Sequence, residues 1–419
     1  MSDSMHLLQG KTIFVAGGGI AGSAFVASLR KLWDPSWTPP TVVVFDRDSS
    51  DVAGRRDAES YSVSISGHSE AGGLVALQKI GLVDEVLAQA VSGADGTAMF
   101  KIWGPSWQER VRLEQKPLHG LPTASVRISR KRLRRILNDA VEGWEYGRIQ
   151  WDSQCLSVKK LGTGELRIRI RQGDETVERD CDFLVAADGA ISRLRAWFRP
   201  DDKLQYAGAV LRGGLATFDD GVPNPPGMDW GFIMSSRGIS CFYSPVDEKT
   251  VVWLVGHLER EPASALHRSN AEAVVTRAAE LGAHFREPFQ AMVGRTDLNT
   301  VMCINAHDKE PFRHQKLDRM PVVFIGDSNH ALSPFAGFGV NLALSDGWDL
   351  AWQLCQETTS LREAMAAYDD ISLPRAAAMV AASRKNLQAG HATGWRYWKF
   401  MARLWAGRWS KRSKKPSND

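Results

Sequence analysis

Three glycines spaced as Gly17-x-Gly19-x-x-Gly22 follow the apolar run Thr12 to Ala16 and open a stretch that reads as a helix to about Trp33. Bare backbone at such a strand-to-helix turn lets a pyrophosphate approach the helix N-terminus, whose first N–H groups lack partners within the helix. Ile20 and Ala21 belong to the same contact. Asp46 ends the next run, Thr41 to Phe45, where a carboxylate can accept hydrogen bonds from a ribose, and Arg47 stands beside it. The chemistry is dinucleotide binding, and this fingerprint alone does not choose between FAD and NAD.

A second loop lies late in the chain. The apolar strand Pro321 to Ile325 delivers Gly326-Asp327, and Pro334-Phe335-Ala336-Gly337-Phe338-Gly339-Val340-Asn341 follows. Asp327 is placed to bind a polyol such as a flavin ribityl chain. The glycine-flanked helix start at Gly339 offers N–H groups to an anion, which suits the negative charge that reduced flavin carries over N1 and the C2 carbonyl. Between the two loops lies Leu184-Val185-Ala186-Ala187-Asp188-Gly189, another strand ending on an acid and a glycine.

A GxGxxG start, a mid-chain Asp-Gly and a late Gly-Asp, in this order across most of the chain, resemble the class A, single-component FAD-dependent monooxygenases. The Pro-Phe-Ala-Gly-x-Gly-Val-Asn run is most similar to tetracycline-inactivating enzymes and fungal natural-product hydroxylases and epoxidases. The resemblance implies a Rossmann-like α/β FAD domain with a second β-sheet substrate domain and C-terminal helices, as in para-hydroxybenzoate hydroxylase. It also implies non-covalent FAD contacted by Asp188 and Arg130, transient NADPH or NADH, and O2 activated as a flavin C4a-hydroperoxide that oxygenates an electron-rich small molecule. Two departures stand out: Gly-Asp-Ser-Asn-His for the usual Gly-Asp-Ala-Ala-His, and Gly337-Phe338-Gly339 for Gly-Gln-Gly. Asn329 and Phe338 are thereby expected near the isoalloxazine edge.

The remaining pattern supplies the scaffold. Residues 1–200 and 298–370 read as a discontinuous FAD domain, 201–297 as the substrate sheet, and 371–419 as C-terminal helices with a basic tail. Leu166, Ile168 and Ile170 alternate with Arg167, Arg169 and Arg171 in an antiparallel meander. Strands over 206–218, 230–234, 239–244 and 250–258 form the second sheet, expected to roof the ring with Phe232 and Phe242, joined by Phe335 and Phe338 in a substrate pocket. Within that sheet Arg212 is a cation in an apolar strand. Some fungal relatives carry an arginine and a tyrosine on such strands, so Arg212 and Tyr243 are the catalytic candidates implied by the resemblance.

Composition excludes other classes. A net charge of +4 over 419 residues gives no reason to expect nucleic acid, and five scattered cysteines suggest neither a disulfide framework nor a metal site. A cytoplasmic monomer is expected. No Trp-x-Trp-x-x-Pro run marks a halogenase, whereas a flavin reductase or cyclase and a flavin scaffold without turnover stay open. The C-terminal stretch from Trp395 to Trp409 is amphipathic and basic, with Trp395, Trp398, Ala402, Trp405 and Trp409 on one helical face. In the resembling family a C-terminal helix packs across the two domains, so docking of this helix onto the protein is expected, and a weak membrane-surface contact stays open.

Overall fold

The computed structural model describes residues 6–49, 61–314, 320–356 and 360–412. The chain forms two compact units: residues 1–90, 116–205 and 307–382 make the first, and 91–115, 206–306 and 383–419 the second. Strands are numbered in chain order.

In the first unit, β1 (Thr12–Ala16), β2 (Thr41–Phe45), β7 (Gly147–Gln150), β11 (Phe183–Ala186) and β17 (Val322–Phe324) form a parallel sheet ordered β17-β11-β1-β2-β7. Its strands are apolar throughout because both faces are covered. Ile13, Val15, Val42, Val44, Val185 and Val323 face one core with Phe25 and Leu29 of the helix Ile20–Leu32 and Leu350 of the helix Gly339–Leu354. The alternate residues Phe14, Val43, Phe45, Leu184 and Phe324 face Leu166, Ile168 and Ile170. Those three lie on the middle strand of the antiparallel meander β8 (Ser153–Lys160), β9 (Leu166–Gln172) and β10 (Glu175–Cys181). The two helices approach closely at Gly347, where a Cβ would lie 2.6 Å from the Phe25 nitrogen. An antiparallel two-stranded sheet of β3 (Ser62–Ser66) and β6 (Ser125–Ser129) also belongs to this unit.

The second unit is built on seven strands ordered β16-β12-β15-β14-β13-β4-β5. These are β4 (Phe100–Trp103), β5 (Glu109–Arg112), β12 (Gln205–Thr217), β13 (Trp230–Met234), β14 (Ile239–Pro245), β15 (Thr250–Leu258) and β16 (Met302–Asp308). Helices Ala271–Leu281 and Phe289–Gly294 cover one face through Ala278, Phe289 and Met292. The sequence reading placed β4 and β5 in the first domain. They belong to the second because β4 pairs in parallel with β13. The unit boundary near 383 also falls inside the long helix Leu361–Gly390 rather than at residue 371.

The last helix, Gly394–Arg412, packs in the second unit. Tyr397 and Met401 are buried against Ile102, Val111 and Met234, while Trp395, Trp398 and Trp405 are exposed. Tyr397 and Met401 are four residues apart and so share one side of the helix. The side chain of Trp409 and residues Lys414 and Lys415 lie outside the described residues.

Candidate active site

All three sequence-identified loops follow strands of the parallel sheet at their carboxyl ends, after β1, β11 and β17, the edge where open α/β sheets bind ligands. The glycines divide by role. Gly17 has φ +108° and a Cβ there would lie 2.3 Å from the Ala187 oxygen, and one at Gly22 would lie 2.1 Å from the Gly17 oxygen. These two are glycine for the turn and for helix–strand approach. At Gly19 a Cβ would meet no atom within 4 Å, so its bare backbone faces open space. Ile20 and Ala21 are buried, which leaves only their N–H groups to contribute, at a helix start with no acidic residue in its first turn.

Asp46 is buried and already engaged. Its Oδ2 accepts the Gly18 N–H at 2.8 Å and pairs with Arg134 at 2.8 Å, while Oδ1 accepts the Asp48 N–H. Arg134 also donates to the Gly18 oxygen and to Asp48. Burial opposes the Arg134 charge, yet Asp46 and Asp48 more than compensate and raise its pKa. Asp46 thus braces the glycine turn, and Arg134 is the stitch that sequence reasoning missed. The i, i+4 spacing from Arg130 was its only signal. Arg47 is exposed.

Asp188 accepts the Leu194 N–H through Oδ2, whereas its buried Oδ1 has no partner among the described residues. Burial pushes this carboxyl up, against hydrogen bonds from Ser192 and the backbone. Gly189, at φ +82°, faces open space. Arg195 ties this loop to the next, donating to the oxygens of Ala190 at 2.5 Å and Ser328 at 2.9 Å.

Gly326 donates to the Asp346 Oδ2 at 2.8 Å and carries φ +60° into a short helix, Asp327–His330. Asp327 is exposed, yet the surrounding protein pushes its carboxyl up while His330, Arg130 and Arg195 pull it back. Arg130 and Arg195 are near enough to act on it. Beneath it, His330 meets the buried Asp346 at 2.7 Å, and Ser372 and Arg375 donate to the other Asp346 oxygen, each at 2.9 Å. Burial would lift the Asp346 carboxyl, but His330 and Arg375 hold it well below the usual range. Burial likewise opposes the His330 charge, yet Asp346 raises its pKa.

Pro334 opens a 3-10 turn closed by Gly337 at φ +62°, and the helix from Gly339 starts without an acidic residue in its first turn. Gly337 and Gly339 both face open space, and Val340 is half-buried. The Asn341 side chain is turned inward: its Oδ1 accepts N–H groups of Ser66 and Gly73 at 2.7 and 2.8 Å, and its Nδ2 donates to the Ser64 oxygen. Only its backbone remains for a ligand. Asn329 is likewise fully buried, bonded to the N–H and oxygen of Phe312, so it locks that segment instead of edging a ring. Phe335 is buried and Phe338 is half-buried, edge-on to His68 at 6.5 Å.

The catalytic candidates are displaced by strand alternation. Paired residues of neighbouring antiparallel strands share a face. Arg212 pairs with Val255 and Tyr243 with Trp253, which puts both on the helix-covered face. There Arg212 is buried in a two-point ion pair with Glu259 at 2.6 and 3.1 Å, and Tyr243, fully buried, donates to the Gly227 oxygen. The opposite face carries the cross-strand row Phe232, Phe242 and Leu254, all half-exposed, with Phe100 against Phe232. Phe232 and Phe242 thus stand on an apolar face with Leu254 and Phe100.

Bare backbone at Gly19, Gly189, Gly337 and Gly339, two helix starts free of acids, an Asp188 oxygen with no partner among the described residues and the exposed Asp327 make up a cradle of the kind that holds FAD. The comparisons agree. The family described as FAD binding domain matches residues 55–383, and the chain belongs to that family. It is 40% identical over 395 residues to Monooxygenase cfoF of Aspergillus candidus, covering 93% of each protein. Among solved structures, Klebsiella pneumoniae HpxO complexed with FAD and uric acid matches with a TM-score of 0.74 at 18% identity, over 96% of this chain and 94% of that one. Tetracycline destructase Tet(55) matches with a TM-score of 0.68 at 16% identity, over 96% of both. The protein is an FAD-dependent monooxygenase, which sets aside the reductase, cyclase and scaffold readings.

Proposed function

We propose that this enzyme takes electrons from NADPH or NADH and transfers one atom of O2 to an electron-rich carbon of an aromatic, polyketide-like or indole-like small molecule, by hydroxylation or epoxidation. When bound, FAD supplies the redox chemistry and the activation of O2. The N–H groups at Gly19 to Ala21 would hold its pyrophosphate, and Asp327 its ribityl hydroxyls. Those at Gly339 to Asn341 would hold the electron-rich edge of the ring. Asp46 keeps a lone pair on Oδ1 for a ribose while bracing the turn. Phe232, Phe242 and Leu254 offer a dry apolar surface suited to a planar substrate.

The observation that carries this reading is the open backbone at Gly19, Gly189, Gly337 and Gly339, on loops from three separate strands. Purified protein should be yellow, release its flavin on acid precipitation, and oxidise NAD(P)H faster with a turned-over compound, giving a product heavier by one oxygen atom. Asp327→Ala should lose about 1.5 to 3 kcal/mol of FAD affinity, one charge-assisted hydrogen bond. Colourless protein that FAD does not reconstitute refutes the assignment.

A further inference from the structure

The helix Gly394–Arg412 has three distinct sides. One is the docked side of Tyr397 and Met401, with Phe400 and Leu404 packed beside them. The second carries Trp395, Trp398 and Trp405, which are 67%, 50% and 41% exposed. The third carries Arg396, Lys399 and Arg403, also exposed. Large exposed indoles in a row cost solvation and mark an interaction surface. They are not a spare core face, because the core face of this helix is already occupied.

We propose that this outward half of the helix is a docking surface for an anionic phospholipid bilayer. Tryptophan has the amphipathic ring that settles at the headgroup boundary. The helix carries Arg396, Lys399, Arg403, Arg408, Lys411 and Arg412 and no acidic residue, a charge that complements lipid phosphates and not a second copy of itself. Cations already sit beside the rings, with the Lys399 ammonium 5.4 Å from Trp395 and the Arg110 guanidinium 5.3 Å from Trp398. Among the described residues no helix is long and apolar enough to cross a membrane, so the contact is superficial, with the helix lying in the headgroup plane. Docking through Tyr397 and Met401 holds the helix flat against the protein and pre-sets the indoles outward, so little ordering entropy is lost on binding. The surface would bring the enzyme to apolar substrates that partition into membranes.

The test is co-sedimentation of the full-length, FAD-loaded enzyme with vesicles of phosphatidylcholine alone or with one quarter phosphatidylserine. Binding should require the anionic lipid and fall with salt. Arg396→Gln/Lys399→Gln/Arg403→Gln should lower the partition coefficient on the order of 100-fold, about fivefold per charge removed. Trp395→Ser/Trp398→Ser should weaken binding as well, with the flavin spectrum and thermal midpoint unchanged. Trp405 is left intact because its N–H donates to the Arg110 oxygen at 2.9 Å. Three results would overturn the proposal: no binding to anionic vesicles at low salt, binding indifferent to both variants, or a concentration-dependent dimer that Trp395→Ser/Trp398→Ser abolishes.

Discussion

Replacing Gly19 by alanine separates ligand contact from folding, because its geometry predicts opposite outcomes for the two. Its φ is −80°, which alanine adopts without strain, and its added Cβ would meet no protein atom within 4 Å. Loss of unfolded-chain freedom favours the variant by about 0.4 to 1 kcal/mol, and alanine's poorer fit at a helix N-cap costs about the same. Stability of the apoprotein should therefore change by less than about 0.5 kcal/mol. A methyl group at the point of pyrophosphate approach should displace the phosphate from at least one N–H, about 1.5 to 3 kcal/mol, or roughly 10- to 100-fold in FAD affinity. Gly22→Ala is the control. Its Cβ would lie 2.1 Å from the Gly17 oxygen, a backbone clash that only movement of the turn relieves, at a cost of about 3 kcal/mol or more. Urea unfolding of the two apoproteins, with FAD titration followed by flavin fluorescence, reads both quantities. Gly19→Ala that binds FAD like the wild type, or that unfolds as early as Gly22→Ala, refutes the division of roles among the glycines.

Asn341→Ala should destabilise the apoprotein by about 3 kcal/mol by stranding the Ser66 and Gly73 N–H groups, and a loss confined to FAD affinity would reassign Asn341 as a ligand. Arg212→Ala should lower stability by about 2 kcal/mol, less than for a fully buried pair because a quarter of Glu259 is exposed. Arg212→Met/Glu259→Gln should recover part of that loss, and unchanged stability with lost turnover would restore Arg212 as catalytic. Asp346 raises the His330 pKa, so the contribution of this pair is complete below about pH 6.5 and is lost as pH rises through the raised pKa. Urea midpoints of the apoprotein should fall across that alkaline range, and His330→Gln should flatten the fall. A wild-type slope in the variant would place the titration elsewhere.

The cradle was legible because its signals are local. Gly17, Gly189 and Gly326 each follow a buried strand at once, and the alternation of Leu166 with Arg167 states which side faces the core. What escaped depends on distant pairing. The side on which Arg212 stands is set by register with Val255, forty-odd residues on, and one residue of slip reverses every side chain. Strands β4 and β5 are four residues each and owe their membership of the second unit to a parallel partner more than a hundred residues away. The most buried polar centre, Asp346 with His330, Ser372 and Arg375, carries no spacing signature because its members meet across three helices.

The interleaving of the two units bears on how the chain is made. Each is assembled from three separate stretches, and neither corresponds to a continuous length of polypeptide. On the ribosome, β1 and β11 emerge long before β17, and the carboxylate that fixes Gly326 is not clamped until Arg375 has been synthesised. Until then β11 has an unpaired apolar edge, open to misassociation. Folding of the cradle thus waits on late segments and is dominated by long-range pairing, which is slow by its topology. Expression yield should respond to chaperone supply and growth temperature more than to the stability of the finished enzyme, and cofactor present at the close of synthesis should capture the sheet as its last strand arrives.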